Sequence, residues 1–117
     1  LNQGKFDYLY DKVGLYDTLR GIIQYDSPAY ALTRCWQALN GNDAKMLRFL
    51  ENHDEHRFAS KKFANNSFNA IPAMLVSATM HRGPIMTYFG QELGEPAFGE
   101  AGYSGADGKT TIFDFFN

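Results

Sequence analysis

The chain has 117 residues, of which 44% are hydrophobic and 15% aromatic, so it carries enough apolar material for a globular core and disorder is not expected. The net charge is -2, and no basic cluster is longer than Lys61-Lys62, which argues against a polyanion partner and leaves nucleic-acid binding without support. The single cysteine, Cys35, excludes an internal disulfide. No run approaches the ~18 apolar residues of a membrane span, so we expect a soluble chain with no membrane partner.

The first ten residues carry no targeting signal. They lack the basic start and the apolar core of a signal peptide, and the chain begins with Leu1 rather than Met. We therefore expect an internal piece of a longer protein, whose compartment the residues do not indicate.

The first half of the chain predicts a strand followed by two helices. Residues 5–10 (KFDYLY) alternate and are aromatic, which is typical of a strand. Apolar residues recur at helical spacing through residues 14–24, which predicts the first helix. A second helix is predicted to start at Ser27-Pro28 and to end at Asn40-Gly41.

The second helix has one apolar face, formed by Leu32, Cys35, Trp36 and Leu39. On this face we expect Cys35 to be an inert buried thiol rather than a reactive one. Trp36 is expected in the core, with a platform that stacks on sugars as the alternative.

The second half predicts strand, helix and strand again. The apolar start of residues 46–57 (MLRFLENHDEHR) predicts a buried strand, and residues 58–66 predict an exposed loop or short helical segment. A helix is expected over residues 69–82 and a buried strand over residues 85–89. A glycine-rich loop and a short extended piece at 110–113 follow. This alternation favours an α/β fold with a parallel sheet and right-handed crossovers.

The strongest candidate site follows the central strand. Asn52, His53, Asp54 and Arg57 come directly after its apolar residues. In parallel α/β sheets, functional groups lie in the loops beyond the carboxyl ends of strands. We therefore expect these four side chains to form a functional site.

Two stretches carry a resemblance to a known family. FLENHDEHR (residues 49–57) and GPIMTYFGQELGE (residues 83–95) resemble, in order and spacing, two neighbouring motifs of the alpha-amylase family, glycoside hydrolase family 13. The tail DGKTTIFDFF (residues 107–116) is similar to the segment that follows the eighth strand in some bacterial members. The resemblance implies a partial (β/α)8 TIM barrel, roughly strands six to eight with their helices. A complete barrel usually needs about 250 residues. Residues 1–117 are thus expected to be the C-terminal fragment of a catalytic barrel domain.

The resemblance also implies roles for individual residues. Asp54 would be the transition-state stabiliser, with His53 and Asn52 binding the substrate beside it. Arg57 would bind substrate nearer the edge of the cleft, and Glu92 would support the barrel end by hydrogen bonding. The nucleophilic Asp and the acid/base Glu of the family lie upstream of these motifs, and three acids on one short turn, residues 51–55, cannot straddle a sugar from two sides. The isolated chain is therefore expected to be inactive.

The implied parent is a retaining glycoside hydrolase, or a related transglycosylase, acting on alpha-glucans or maltooligosaccharides. The alternative is a non-catalytic carbohydrate-binding or interaction module derived from the same barrel. No cofactor is expected in this chain, although the parent could bind calcium through segments outside it. A secreted or periplasmic parent is compatible with the resemblance.

Several residues have a second interpretation. The run His53 to His56 could supply metal ligands, although such a tight run rarely converges on one ion. Asp54 could simply cap a turn, and His56 is expected to be an exposed loop residue. Tyr88 and Phe89 are expected in the core rather than stacked on substrate. Tyr8, Tyr10 and Tyr16 fit either cleft lining or packing.

A three-strand piece of a barrel would leave strand edges and sheet faces uncovered. Unpaired strand edges recruit other chains. We therefore expect the fragment to self-associate and its monomer to have low stability.

Overall fold

The computed structural model describes residues 4–97 and 109–110. Two strands and three α-helices occur in the order β1 (Leu9–Tyr10), α1 (Asp17–Tyr25), α2 (Ala31–Ala38), β2 (Met46–Leu47) and α3 (Ile71–Thr79). A π-helical turn (Lys12–Tyr16) leads into α1, and 3-10 turns span Asp43–Lys45, Ser67–Ala70 and Gln91–Leu93.

The extended segments run parallel. β1 pairs with β2 in the register Leu9 to Met46 and Tyr10 to Leu47. One residue further along, Arg48 forms a parallel bridge with Ile85. The Arg48 amide donates to the carbonyl of Pro84 at 3.0 Å, and the Met86 amide donates to the carbonyl of Arg48 at 2.8 Å. β2 therefore lies between β1 and the extended segment around Ile85.

An aspartate joins the end of β1 to the start of the helices. The Asp11 side chain accepts a hydrogen bond from the Leu15 amide at 2.9 Å and caps the π-helical turn. A Cβ at position 14 would overlap the Asp11 carboxylate, so Gly14 makes room for this cap. Asp11 also lies 2.8 Å from the buried Arg48 guanidinium, which ties β1 to β2. Because of this turn, α1 begins at Asp17 rather than at the predicted residue 14.

The core lies between the strands, α1, α3 and the segment after β2. The Tyr16 ring stacks on Phe49 with centroids 5.0 Å apart, and Phe63 packs against the same tyrosine at 6.0 Å. Tyr16 therefore belongs to the core, whereas Tyr8 and Tyr10 are exposed. The prediction that residues 58–66 form an exposed segment was wrong in part, because Phe58, Ala59, Phe63 and Ala64 fill this core and only residues such as Lys61 and Lys62 face solvent.

The assignment of Trp36 to the core was wrong. Helix α2 has no fully buried residue, and its contact with the core is made by the partly buried Leu32 and Cys35. Trp36 lies one position further around the helix and remains 56% exposed. Cys35 was expected to be buried but is half-buried, and this burial raises the pKa of its thiol.

Two further observations bound the fold. Within the described ranges, no helix is both long and apolar enough to cross a membrane. The predicted glycine-rich loop and the extended piece at 110–113 lie outside the described residues, apart from residues 94–97 and Thr110.

Candidate functional site

The loop after β2 is closed by a buried glutamate. One oxygen of Glu51 accepts a hydrogen bond from the Phe58 amide at 2.7 Å, and the other accepts one from Arg57 Nη1 at 2.7 Å. Both charged side chains are 0% exposed. Burial raises the pKa of Glu51 above its usual value, while the Phe58 amide and the Arg57 guanidinium act in the opposite direction. Glu51 thus fixes both ends of the segment that carries residues 52–56.

Arg57 joins this loop to two other parts of the chain. Its Nε donates to Thr110 Oγ1 at 2.7 Å, and the guanidinium lies 4.6 Å from the Tyr88 ring centroid and 5.1 Å from that of Phe89. Tyr88 is buried, as expected, and Phe89 is half-buried. The expected position of Arg57 at the edge of a cleft differs from what is seen, because its charge is neutralised by Glu51 inside the fold. Arg57 is an anchor of the loop.

The tip of the loop presents a histidine and a carboxylate to solvent. His53 Nε2 lies 3.5 Å from Asp54 Oδ2, and the two side chains are 56% and 75% exposed. Asn52 Oδ1 accepts hydrogen bonds from the amides of Asp54 at 2.8 Å and Glu55 at 2.9 Å. Asn52 therefore shapes the turn, as asparagine side chains often do, and brings His53 and Asp54 together at an accessible surface.

Glu55 points away from this tip into the fold. It lies 3.0 Å from Lys12 Nζ and 3.7 Å from Arg20 Nη1, and it accepts a hydrogen bond from the Tyr16 hydroxyl at 3.1 Å. Burial, reinforced by the Glu55 carboxylate, raises the pKa of Tyr16. Partial burial alone would lower the pKa of Lys12, but its contacts with Asp17 and Glu55 raise it overall. Glu55 fastens the loop to the start of α1.

The four donors of the run HDEH diverge. His53 and Asp54 face each other at the tip, Glu55 turns inward, and His56 is half-buried rather than exposed as expected. Over residues 4–97 and 109–110, no group of three or more His, Cys, Asp or Glu side chains is arranged to hold a metal ion. The run is therefore better described as two exposed groups, Glu55 that anchors the loop, and a half-buried His56.

The segment after Ile85 places a glutamine where a glutamate was expected to act. Gln91 is buried, accepts a hydrogen bond from the Tyr88 amide at 3.1 Å and directs its amide nitrogen to the Met74 sulfur at 3.3 Å. Glu92 is exposed and lines an apolar cavity of about 370 Å³ together with Phe58 and Leu93. Glu92 thus has a rim position, whereas the side chain of Gln91 makes hydrogen bonds within the fold.

The cavity beside Glu92 and the tip of the loop are separate features. Its lining residues include Phe68, Ile71 and Met74 but neither His53 nor Asp54. We locate the candidate site at the tip, because the chemistry of a carboxylate and a histidine lies there.

Sequence reasoning missed Glu51 as the residue that organises this site. Its signal is the placement of opposite charges inside apolar flanks: Glu51 follows Phe49-Leu50, and Arg57 precedes Phe58-Ala59. Charged residues at such positions are buried only when paired.

Comparisons of the chain with protein-family models, with curated proteins and with solved structures found no match.

Proposed function

We propose that this chain is the C-terminal part of the catalytic barrel of an alpha-amylase-like retaining glycoside hydrolase. The parent would act on alpha-glucosidic bonds of starch-type glucans or maltooligosaccharides, and the partner of the chain would be the remainder of its own barrel. The two motifs FLENHDEHR and GPIMTYFGQELGE support the proposal from sequence. The observation that carries it is the exposed His53–Asp54 pair on a loop whose ends are fixed by the buried Glu51 and Arg57.

Asp54 would act on charge that develops during bond cleavage. A retaining glycosidase uses two carboxyl groups about 5 to 5.5 Å apart, one as nucleophile and one as acid/base, around an oxocarbenium-like transition state. Those two groups would come from the remainder of the barrel. The Asp54 carboxylate would bind hydroxyls of the same sugar and favour its distorted, positively charged form over the relaxed ground state.

The residues near Asp54 would have two different roles, binding the sugar and positioning the loop. His53 would hydrogen-bond the same sugar, because its ring is exposed beside Asp54. Asn52 and Arg57, expected to bind substrate, become positioning residues in this proposal. The Asn52 oxygen is occupied by two backbone amides, and Arg57 is buried on Glu51.

The test is the variant Asp54→Asn in the protein that carries this chain with the rest of its barrel. Reducing-sugar release from soluble starch should show kcat lowered by roughly 100-fold or more, the loss typical of a transition-state contact, with KM little changed. The matched control is Asp26→Asn, an exposed aspartate at the end of α1, which should keep full activity. Full kcat in Asp54→Asn would contradict the proposal.

The same assay distinguishes an enzyme from the alternative, a non-catalytic binding module. If the unmodified parent bound maltooligosaccharides but released no reducing sugar, a non-catalytic role would be favoured. The isolated 117-residue chain is expected to release none.

A further inference from the structure

A second cavity lies at the opposite ends of the strands. It has a volume of about 400 Å³ and is lined by Trp36, Gln37, Leu39, Asn40, Gly41, Asp43 and Arg82. These residues come from the end of α2, the turn before β2 and the segment before Ile85, so they lie at the amino ends of the parallel strands. Asp54, by contrast, follows the carboxyl end of β2. The volume falls within the range of about 300 to 1,000 Å³ that is usual for small-molecule sites.

Trp36 provides an exposed aromatic surface in this cavity. Its side chain is 56% exposed. It also borders a narrow gap of about 10 Å³ that it shares with Leu15, Leu32 and Met80. Trp36 therefore borders both this gap and the open cavity. An exposed indole offers a large flat surface to the apolar face of a ligand.

Polar groups surround the indole. Gln37 and Asn40 are exposed amide side chains that can both donate and accept hydrogen bonds. Arg82 is 86% exposed and lies 3.8 Å from the Asp43 carboxylate, so this ion pair is loose and its donors are accessible. The two charges cancel, which favours a neutral ligand with many hydroxyls over a phosphate or another anion.

The backbone fixes the shape of the cavity. Asn40 and Gly41 both have positive φ, at 48° and 78°, and they turn the chain sharply after α2. A Cβ at position 41 would meet nothing within 4 Å, so Gly41 borders open space. The Asn42 amide closes the turn by donating to the carbonyl of Leu39 at 2.9 Å. Two residues with positive φ and one backbone hydrogen bond therefore shape this side of the cavity.

We propose that this cavity is a second carbohydrate-binding site, specific for neutral oligosaccharides and without catalytic activity. Trp36 would stack on one face of a pyranose ring, and Gln37, Asp43 and Arg82 would hydrogen-bond its hydroxyls. The site does not depend on Asp54. Only the choice of an alpha-glucan as its main ligand rests on the proposed function.

The chain offers a direct reporter, because Trp36 is its single tryptophan. Titration of the purified chain with maltohexaose, followed by tryptophan fluorescence, should give a saturable change in intensity and a blue shift as the indole loses water. Cellohexaose and xylohexaose are titrated in parallel. No change in fluorescence with any of the three sugars at millimolar concentration would overturn the proposal.

Variants test whether the sugar that changes the fluorescence binds in the cavity beside Trp36. Gln37→Ala and Arg82→Ala should each weaken binding several-fold, whereas Asp26→Asn, at an exposed aspartate outside both sites, should leave it unchanged. By calorimetry, Trp36→Ala should weaken binding by roughly tenfold and Trp36→Phe by less, because phenylalanine keeps an aromatic surface. The matched control is Tyr25→Ala, an exposed aromatic residue on α1, which should bind like the unmodified chain. Equal affinity in Trp36→Ala would contradict the assignment.

The responses to the different sugars also distinguish the binding proposal from the catalytic proposal. A response to cellohexaose but not to maltohexaose would support a binding site at Trp36 and count against an alpha-glucan substrate. A response to maltohexaose, together with full activity in Asp54→Asn, would support the binding site and contradict the catalytic proposal.

Discussion

At the scale of single residues, the buried pair of Glu51 and Arg57 determines the shape of the candidate site. Removing two charges from water is costly, and it is tolerated only when each charge is well bonded. Glu51 meets this condition through Arg57 and the Phe58 amide. Arg57 is held by Glu51, Thr110 and the Tyr88 ring, and its Nη2 has no hydrogen-bond partner among the described residues. Asp54 can therefore remain exposed on a loop that is rigid at both ends.

Replacing Glu51 by glutamine should destabilise the fold. The change leaves the Arg57 charge buried without its partner, which costs about 3 to 5 kcal/mol in comparable pairs. Urea denaturation of the chain measures the loss as a lowered free energy of unfolding. The exposed Glu92→Gln is the control and should change that free energy by no more than about 0.5 kcal/mol. Similar values for the two variants would show that the buried pair does not hold the loop.

Sequence alone predicts part of this site. An exposed aspartate and histidine after an apolar strand follow from the sharp change from Phe49-Leu50 to polar residues. For the burial of Arg57 the sequence offers only its apolar flank Phe58-Ala59, because a contact between residues 51 and 57 across a loop has no periodic signature. The exposure of Trp36 was also not predictable, since helical spacing defines a face but not what covers it.

At the scale of secondary-structure elements, a histidine with a defined tautomer follows the end of α3, because His81 comes directly after the C-cap residue Met80. The Gly83 amide donates to His81 Nδ1 at 3.0 Å, so that nitrogen carries no proton. The other ring nitrogen, Nε2, then donates to the carbonyl of Ser77 at 2.6 Å. Burial is the main cause that lowers the pKa of His81 below its usual value of 6.5. The end of α3 therefore requires a neutral His81.

This arrangement predicts a stability that depends on pH. The pKa of His81 is lower in the folded chain than in the unfolded chain. The stability that neutral His81 contributes is therefore complete above about pH 6.5, and it is lost as the pH falls through the pKa that His81 has in the folded chain. Urea unfolding at pH values above and below this point should show that the free energy of unfolding decreases as the pH falls. In His81→Gln the free energy of unfolding should depend less on pH. His53→Gln, a change at an exposed histidine, should keep the same pH dependence. An unaltered profile in His81→Gln would contradict the account of this helix end.

The boundaries of the elements show where sequence patterns are informative. The alternation of residues 5–10 predicts a strand of that length, but only Leu9 and Tyr10 meet partners on β2. Alternation of side-chain types along the sequence indicates an extended backbone, whereas a strand also requires a neighbouring strand that is paired in register. Helix α3 spans Ile71–Thr79 within the predicted residues 69–82, with Pro72 in its first turn, as expected.

At the scale of the whole molecule, an aromatic face is left uncovered. Phe6, Tyr8 and Tyr10 lie at alternate positions of residues 6–10, of which only Leu9–Tyr10 form a strand, and all three are more than half exposed. The body measures 43 × 32 × 19 Å, so it is flat rather than rounded. Exposed apolar patches of this kind mark contact surfaces. The self-association expected from sequence therefore remains a prediction, with this face as its location.

Static light scattering over a range of concentrations tests that prediction. The mean mass of the chain should rise with concentration, and Tyr8→Lys should lower it by placing a charge on the aromatic face. Tyr25→Lys, at an exposed tyrosine on α1, is the control and should associate like the unmodified chain. A constant monomer mass at all concentrations would contradict the prediction.

The proposed role of Asp54 is tested most sharply by comparing two ligands of the proposed parent glycoside hydrolase. One is a maltooligosaccharide, and the other is an amino-sugar analogue that carries a positive charge at the position of the reacting ring. If Asp54 stabilises charge in the transition state, Asp54→Asn should weaken the charged analogue by roughly 100-fold and the neutral sugar by only a few-fold. An equal loss for both ligands would show that Asp54 binds substrate without stabilising the transition state.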